Sequence, residues 1–385
     1  MREGWEYKRL GELCDIVMRQ SPMGNSINEN NGIEFHKEKP NFGDKFLMES
    51  GIYTTSPIRI AEKKTILLCV RAPVGIINIT ERQVCIGRGL SSLKPRLGLE
   101  LLYLYYCLLS KQNYFESNST GSTFKAISSK VINNTIIQFP SKSTQLSIVS
   151  ELDKLNELIR IKKEQLKDYD TLAQSIFYEM FGDPVENEKG WKVKKLGELC
   201  SKIGSGATPR GGNESYKDEG ISLIRSLNVY NNEFRRKDLA YIDDEQAAAL
   251  SNVTILEDDV LLNITGASVA RCCIVPSDLL PARVNQHVCI IRPLDNVLVP
   301  IFLNKVLTNI SYQIRLLALA RSKGATREAL PKSVVDSLLI PLPPLPLQHS
   351  FAQKIEQIEQ QKAAIQKTIT DLETLLAARI QYWFD

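Results

Sequence analysis

The chain has few residues of the kinds that hold metal ions or build disulfide frameworks. Three histidines occur in 385 residues, they are scattered, and none of the eight cysteines belongs to a CxxC pair. This distribution excludes the usual zinc-ligand spacings. Most cysteines lie in apolar runs such as ILLCV and HVCII, which are typical settings for buried thiols. We therefore expect a protein of a reducing compartment, the cytoplasm.

Long apolar runs and nucleotide-binding loops are missing as well. The longest apolar run, LLYLYYCLL, is too short to span a membrane, so we expect no membrane association. The stretch GSGATPRGG begins like a glycine-rich loop, but Pro209 stands where a third glycine is needed, and GxxxxGK[ST] does not occur. We predict a flexible loop there, whose backbone N–H groups can approach a phosphate.

Candidate catalytic residues are equally scarce. Nuclease chemistry needs clustered carboxylates for Mg²⁺, but the ExK at Glu62 has no Pro-Asp at a suitable distance before it. The Asn/Asp-Pro-Pro-aromatic motif of amino-methyltransferases is absent, because the only Pro-Pro lies in PLPPLPL. His287 fits a structural or DNA-contacting role better than that of a base. We predict no catalytic residue and no metal ligand in this chain.

Positive charge is sorted along the chain although the net charge is only +4. Residues 58–96 contain eight Lys or Arg against two acids, and residues 305–332 contain six against one. Separate basic segments of this kind suit surfaces that contact phosphate. On charge alone, an ordinary solvated surface is the preferred interpretation.

The chain consists of two copies of one unit. WEYKRLGELC at residues 5–14 recurs as WKVKKLGELC at residues 191–200, an offset of 186. Later pairs share an offset of 203: STGSTFKAISSKV with SKGATREALPKSV, and FPSKSTQ with LPPLPLQ. The difference means that 17 additional residues accumulate inside the second copy. We call residues 1–182 copy 1 and residues 183–385 copy 2, and we expect two similar structural units.

Each copy combines a strand-rich segment with a long terminal helix. Runs such as TILLCV, GIINI and HVCIIRP, separated by turn residues, predict a mixed α+β segment. Apolar residues in alternating steps of four and three then continue over more than four heptads, which is typical of a coiled-coil seam. The predicted seam consists of Ile148, Leu152, Leu155, Ile159, Leu166, Tyr169, Ile176 and Met180 in copy 1 and of Phe351, Ile355, Ile358, Ile365, Ile369, Leu372, Leu376 and Trp383 in copy 2.

Two helices of this length in one chain can cover each other's apolar stripes. We predict that they pair as an antiparallel coiled coil, with Gly182-Asp183-Pro184 ending the first helix and PLPPLPL extended before the second. Lys162, Lys362 and Arg379 interrupt the seams and are expected to help set the register. A core helix of a bundle is the alternative interpretation of each heptad row.

The order and duplication of these motifs resemble the specificity subunit of type I restriction–modification systems. The resemblance covers essentially the whole chain. It is carried by W-x-x-x-x-LGEL at the start of each copy, RAPVG…CIGRGL in copy 1, TGAS…NQHV-x-IIRP in copy 2, SxGxT before each long helix, and FGD after the first one. Each motif is modest by itself, whereas their combination is specific.

The resemblance implies an α+β fold of two tandem target recognition domains related by pseudo-two-fold symmetry. These would cover residues 1–140 and 183–342, and the long helices residues 141–182 and 343–385. Each domain would bind one half of a bipartite double-stranded DNA site, and the helical pair would set the spacer and dock two modification subunits. Those subunits would bind S-adenosylmethionine, and restriction/translocase subunits would use ATP and Mg²⁺. This chain would bind no cofactor and would not be catalytic.

Candidate DNA-binding residues are polar or basic and lie where the two copies diverge or in the basic segments. Arg, Asn and Gln suit base edges, whereas Lys, Ser and Thr suit phosphates. In copy 1 the candidates are Arg19, Gln20, Ser21, Asn25, Lys37, Lys39, Arg71, Arg88, Ser122, Thr123 and Lys125. In copy 2 they are Thr208, Arg210, Asn213, Arg225, Thr265, Arg271, Asn285, Gln286, Arg321, Lys323, Thr326 and Arg327.

Two other functions remain open from the sequence. The chain could be a standalone Mg²⁺-dependent DNA endonuclease whose carboxylates come together only in the fold, with Glu62 as the first residue to test. It could also be a structural coiled-coil adaptor, although the two basic segments argue against that.

Overall fold

The computed structural model describes residues 4–18, 20–121, 125–321 and 328–385, with the side chain of Asn213 left aside. The chain forms two compact units. Unit 1 comprises residues 1–164 and 366–385, and unit 2 comprises residues 165–365. Each unit therefore combines one strand-rich segment with parts of both long helices, rather than one segment with the single helix that follows it.

Unit 1 contains three sheets. The order is β2-β10-β7-β8 in a four-stranded antiparallel sheet and β3-β5-β4-β9-β6 in a five-stranded sheet, while β1 pairs with β11. The strands are β1 (Glu6–Arg9), β2 (Cys14–Met18), β3 (Ile27–Asn28), β4 (Ile33–His36), β5 (Tyr53–Thr54), β6 (Ile60–Ala61), β7 (Thr65–Cys69), β8 (Ile77–Thr80), β9 (Val84–Ile86), β10 (Leu90–Pro95) and β11 (Ile136–Phe139). The helices are α1 (Leu10–Leu13), α2 (Leu101–Ser110), α3 (Gln112–Ser117), α4 (Ser129–Asn134) and the first part of α5 (Lys142–Phe181).

Unit 2 repeats the four-stranded sheet and differs around it. The order is β13-β21-β18-β19, accompanied by β17-β14-β20 and by the pairs β12-β22 and β15-β16. The strands are β12 (Lys192–Lys195), β13 (Cys200–Ser205), β14 (Ile221–Ile224), β15 (Val229–Tyr230), β16 (Glu233–Phe234), β17 (Ala240–Ile242), β18 (Val260–Asn263), β19 (Cys272–Ile274), β20 (Ala282–Val284), β21 (Val288–Pro293) and β22 (Leu339–Leu342). The helices are α6 (Asp244–Ala249), α7 (Pro300–Thr308), α8 (Ile310–Arg321), α9 (Lys332–Asp336) and α10 (Leu345–Phe384).

The repeated LGELC has the same structural role in both units. Its leucine N–H donates to a backbone carbonyl near the end of the strand-rich segment: Leu10 to Thr135 at 2.9 Å, and Leu196 to Leu338 at 2.8 Å. Both leucines are fully buried. The motif thereby joins the start of each segment to its end, just before the long helix begins.

Helix boundaries follow local chemistry, with one difference from the sequence-based expectation at PLPPLPL. Helices α7 and α8 are separated at Asn309, whose side-chain oxygen accepts the N–H of Ser311 at 3.0 Å. Helix α10 begins inside PLPPLPL, because Pro346 occupies the first turn, where a missing N–H is tolerated. Gly182 follows the last residue of α5 with φ of +75°, a conformation that favours glycine.

A buried glutamine joins the start of each long helix to the residues just before an earlier helix of its unit, α2 in unit 1 and α7 in unit 2. In unit 1, Oε1 of Gln145 accepts the N–H of Glu100 at 2.9 Å, and its Nε2 donates to the carbonyls of Gly98 and Pro140, each at 3.0 Å. In unit 2, Gln348 makes the same three contacts with Val299, Val297 and Pro343. Both glutamines are fully buried, so each satisfies three backbone groups that water cannot reach.

The end of α10 is anchored in the core of unit 1. Phe384 is fully buried, and its ring lies 5.3 Å from that of Tyr103. Its carbonyl accepts hydrogen bonds from Nε2 of Gln138 at 2.8 Å and from Nζ of Lys111 at 3.0 Å. The neighbouring Trp383 is stacked on Trp5 with ring centroids 6.3 Å apart.

The two long helices run antiparallel within each unit. In unit 1, Glu151 near the start of α5 binds Arg379 near the end of α10, with Nη2–Oε2 at 3.1 Å. In unit 2, the later part of α5 meets the start of α10: Phe177 lies 5.7 Å from Phe351 between ring centroids, and Lys362 binds Asp170 at 2.8 Å.

Every residue of the predicted seam is buried or half-buried. Acids accompany two of the cations that interrupt it, because Arg379 faces Glu151 and Lys362 contacts both Asp170 and Glu359. In the part of the chain that the structure describes, no helix is both long and apolar enough to cross a bilayer.

Replacing Gln145 by Ala should lower the free energy of unfolding of the protein by about 3 kcal/mol, because buried backbone groups lose their partners. Gln381→Ala, an exposed position on the part of α10 that belongs to the same unit, should change it by less than about 0.5 kcal/mol. Urea unfolding of both variants measures this difference. Equal effects would contradict a structural role for the buried amide.

Candidate nucleic-acid interface

Four predicted DNA-binding residues of copy 1 are brought together by backbone hydrogen bonds. The N–H of Gly87 donates to His36 at 2.8 Å, beside Lys37, and the N–H of Ala72 donates to Lys125 at 3.1 Å. The N–H of Val70 donates to Gly89 at 2.9 Å. These bonds place the loops that carry Lys37, Arg71, Arg88 and Lys125 side by side, and we call these four residues the unit 1 loop cluster.

The glycines on either side of Arg88 allow this close approach. A Cβ atom on Gly89 would lie 2.8 Å from the carbonyl oxygen of Lys37, and one on Gly87 would lie 3.0 Å from its Cα. Both distances are shorter than ordinary carbon contacts, so the GRG sequence is required by packing against the segment that follows β4.

The strand that precedes Lys37, β4, is fixed by a partly buried ion pair. Arg82 donates to Glu34 through Nε at 2.6 Å and through Nη2 at 2.8 Å, and Nε2 of His36 lies 2.9 Å from the same carboxylate. Burial alone would raise the pKa of Glu34, but the hydrogen bonds from Arg82 and the N–H of Ser50 outweigh it and hold the pKa at about 2. Burial lowers the pKa of His36.

Arg71 and Arg88 line the same shallow cavity of about 230 Å³, together with Val70, Ala126 and Ile127. Both arginines are exposed. Within the described residues, neither guanidinium makes a hydrogen bond or an ion pair, in contrast to Arg82.

Four other candidates of copy 1 lie within the described residues. The hydroxyl of Ser21 accepts the N–H of Arg88 at 3.0 Å, and Lys39 and Arg71 line a second cavity of about 300 Å³. Gln20 and Asn25 are exposed in the loop after β2. Three further candidates lie outside the described residues: Arg19, Ser122 and Thr123.

In copy 2 a hydrogen-bonded row of polar side chains occupies the corresponding loops. The hydroxyl of Thr208 donates to Oε1 of Gln286, whose amide nitrogen lies 3.3 Å from Nε2 of His287. On the other side of the ring, Nδ1 of His287 lies 2.6 Å from the hydroxyl of Thr265. We call Thr208, Thr265, Gln286 and His287 the unit 2 loop cluster.

Asn285 precedes this row but points into the protein. It is only 5% exposed, its Oδ1 accepts the N–H of His287 at 3.1 Å, and its carbonyl accepts the N–H of Gly206 at 3.1 Å. In this structure Asn285 holds the turn that presents Gln286 and His287.

Two arginine candidates of copy 2 lie over tyrosine rings. The guanidinium carbon of Arg225 is 5.2 Å from the ring centroid of Tyr216, and that of Arg271 is 4.3 Å from that of Tyr230. Arg235 lies over the same Tyr230 ring at 3.6 Å. Sequence reasoning did not single out either tyrosine, and the only available signal was an aromatic residue close to basic ones, as in NVYNNEFRR.

Among the other described candidates of copy 2, Arg321 and Arg210 do not join the cluster. Arg321 is exposed and pairs with Glu328 at 2.7 Å, and Arg210 is exposed without a described side-chain contact. Asn213 lies in a short 3₁₀ turn. Lys323, Thr326 and Arg327 lie outside the described residues.

The cysteines of the repeat are poorly suited to nucleophilic chemistry. Burial raises the pKa of the Cys14 and Cys200 thiols to about 12. Cys14 is fully buried, whereas its repeat partner Cys200 is only partly so. Among the residues with described positions, no three His, Cys, Asp or Glu side chains group as metal ligands would.

A family model described as type I restriction modification DNA specificity domain matches residues 2–168 and 188–374. One match falls in each copy. The internal repeat therefore corresponds to two domains of one family.

Specificity subunits with similar sequences occur among curated proteins. The putative type I restriction enzyme MjaX specificity subunit of Methanocaldococcus jannaschii is 32% identical over 178 residues, which are 45% of this chain and 42% of that protein. The type I restriction enzyme MjaIX specificity subunit of the same organism is 24% identical over 413 residues, or 96% of this chain and 90% of that protein. The chain thus matches less than half of the first relative and most of the second.

Two solved structures share the fold. The S subunit of a type I restriction–modification system from M. genitalium has a TM-score of 0.55 at 16% identity, covering 99% of this chain and 96% of that one. A chain from a type I R-M system, solved in work on complex assembly and conformational transition, has a TM-score of 0.66 at 19% identity, with 99% and 97% covered.

Gly89→Ala should displace the segment at Lys37 and lower the free energy of unfolding by about 1–3 kcal/mol, because the added methyl group meets a backbone carbonyl. Gly24→Ala is the matched control, since nothing lies within 4 Å of its added Cβ atom and its φ is not positive. Denaturant unfolding compares the two variants. A stable Gly89→Ala protein would show that the close approach is not required.

Proposed function

The chain belongs to the family of type I restriction modification DNA specificity domains, and we propose that it is the DNA-recognition subunit of a type I restriction–modification complex. Each copy binds one half of a bipartite double-stranded site. The observation that supports this proposal is the pair of loop clusters. Each cluster lies at the end of the four-stranded sheet of its own unit, and each presents polar or basic side chains.

The two clusters differ in the way that two different half-sites require. Copy 1 presents the exposed guanidiniums of Arg71 and Arg88, whereas copy 2 presents the hydroxyl, amide and imidazole groups of Thr208, Gln286 and His287. Residues shared by the copies, such as the buried glutamines Gln145 and Gln348, support the fold instead. Conserving the scaffold while varying the exposed loops allows two sequences to be bound by one architecture.

The long helices set the spacer and receive the modification subunits in this proposal. Their paired faces are buried, but several apolar side chains on other faces are 45–47% exposed: Leu146, Leu158, Leu172 and Leu375. Such side chains provide apolar anchors for a protein partner. Since the same scaffold occurs twice, we propose two modification subunits per chain.

Catalysis belongs to the partners in this scheme. Modification subunits supply S-adenosylmethionine-dependent methylation, and restriction/translocase subunits use ATP and Mg²⁺. We propose that this chain binds none of these cofactors and that the complex acts in the cytoplasm, where its DNA is found.

No specific observation favours the two alternative functions. Glu62, on which the endonuclease alternative depends, accepts a hydrogen bond from Gln83 at 3.1 Å and joins no metal-ligand group among the described residues. A structural adaptor would not require two exposed polar loop clusters on equivalent elements.

Exchange of residues 1–140 for the corresponding block of another family member should change one half-site and leave the other half-site and the spacer unchanged. Methylome sequencing of a host that expresses the chimaera with its modification subunits gives the methylated motif directly. The reciprocal exchange of residues 183–342 is the control and should change only the other half. A change in both halves after a single exchange would contradict the modular assignment.

Deletion of one heptad from each helix should shorten the spacer by about three base pairs, because seven residues of helix rise about 10 Å. Residues 158–164 and 368–374 are suitable, since Lys163 and Glu373 face each other at 2.7 Å and removal of seven residues preserves the seam. The same methylome assay reports the motif. Deletion from one helix alone is the control and should abolish methylation. An unchanged spacer after the double deletion would show that the helices do not set the spacer length.

A further inference from the structure

Corresponding backbone hydrogen bonds occur around the two loop clusters, so two positions of one cluster can be matched with two positions of the other. The N–H of Val70 donates to Gly89 at 2.9 Å, and the N–H of Ile264 donates to His287 at 3.0 Å. Because Val70 precedes Arg71 and Ile264 precedes Thr265, these bonds make Arg71 and Thr265 equivalent.

A second pair of bonds confirms this match. The N–H of Ile127 donates to Val70 at 3.0 Å, and the N–H of Leu330 donates to Ile264 at 2.8 Å. Isolated bridges then join Arg71 to Ala126 and Thr265 to Ala329.

The residues just before Gly89 and His287 are therefore equivalent as well: Arg88 in copy 1 and Gln286 in copy 2. Each is exposed, and each is held by a hydroxyl from the loop after the first strand of the sheet. Ser21 accepts the backbone N–H of Arg88, whereas Thr208 donates to the side chain of Gln286. The two residues occupy equivalent backbone positions, but the side chain ends in a guanidinium in copy 1 and in an amide in copy 2.

The backbone at Arg88 and at Gln286 is held rigidly, which suits direct contact of their side chains with a base edge. Arg88 lies between two glycines that pack against Lys37, so its backbone cannot shift freely. Asn285 holds the turn before Gln286 through its buried Oδ1. A long polar side chain on a fixed backbone is the arrangement that base-specific contact requires, because the hydrogen-bonding groups must meet the groove in one register.

We propose that Arg88 and Gln286 are equivalent base-reading residues, Arg88 for a guanine in the half-site of copy 1 and Gln286 for an adenine in that of copy 2. A guanidinium donates two parallel hydrogen bonds to O6 and N7 of guanine, and a glutamine amide that exchanges its bonds to Thr208 and His287 for the base pairs with N6 and N7 of adenine. Arg71, on the same cavity as Arg88, adds a second cation at the copy 1 site. The inference rests on the proposed function, since it presupposes two half-sites.

The competing interpretation is that Arg88 contacts only a phosphate. The two interpretations predict different results, because a phosphate contact weakens binding to all sequences alike, whereas loss of a base contact changes the preferred sequence. A mutation at Arg88 can therefore decide between them.

The test uses the full chain in complex with its modification subunits and the variants Arg88→Gln and Gln286→Arg. We expect Arg88→Gln to reduce discrimination for guanine at one position of the copy 1 half-site by roughly 5- to 150-fold, with the copy 2 half-site unchanged. Gln286→Arg should alter one adenine position of the other half-site. Methylome sequencing provides the motifs, and competition binding to oligonucleotides with single base changes provides the ratios even when methylation is slow.

Arg59→Gln is the matched control, because Arg59 is an exposed arginine of the same copy outside the loop cluster, and it should leave the motif unaltered. Weaker binding with an unchanged motif in both test variants would overturn the inference and assign these residues to phosphate contact. A wild-type complex that methylates no bipartite motif would instead refute the proposed function itself. Because the two variants lie in separate units, failure of one to fold still leaves the other as a test.

Discussion

A forty-residue amphipathic helix can cover its apolar stripe only against a partner of similar length, and much of this structure follows from that constraint. Helices α5 and α10 both span 40 residues, and each gives one part to unit 1 and the other to unit 2. The chain supplies the second helix by repeating itself. Repetition also repeats the elements around the helix, which explains why the buried glutamines Gln145 and Gln348 make identical sets of bonds.

The repeated scaffold separates stability from recognition. Bonds that occur twice, such as those of Leu10 and Leu196 to their carbonyl partners, lie in the interior, where any change leaves a backbone group unsatisfied. The exposed side chains of residues such as Arg88 and Gln286 contribute less to the stability of the fold. Sequence divergence can therefore concentrate on the loops without a large change in stability, and the two copies can acquire different surfaces on the same backbone.

Much of the fold could be predicted from the sequence because it depends on periodic patterns. Heptad spacing predicted the seam residues of α5, which begin at Ile148, and those of α10, which end at Trp383. The duplication predicted two similar units. Contacts between distant segments could not be predicted. The glycines around Arg88 are explained only by the approach of Lys37, and the break at Asn309 only by a local side-chain cap. Tyr230, which lies beneath two arginines, carries no periodic signal, whereas the exposed DNA-binding candidates were predicted from their side-chain chemistry alone.

The anchoring of Phe384 has a consequence for synthesis of the protein. Unit 1 includes residues 366–385, and its core is closed by the last aromatic residues of α10 against Trp5 and Tyr103. During synthesis on the ribosome, the core of unit 1 therefore stays incomplete until all of copy 2 has been translated. Any product cut short before these last residues leaves exposed the apolar surface of unit 1 that Trp383 and Phe384 cover in the full chain.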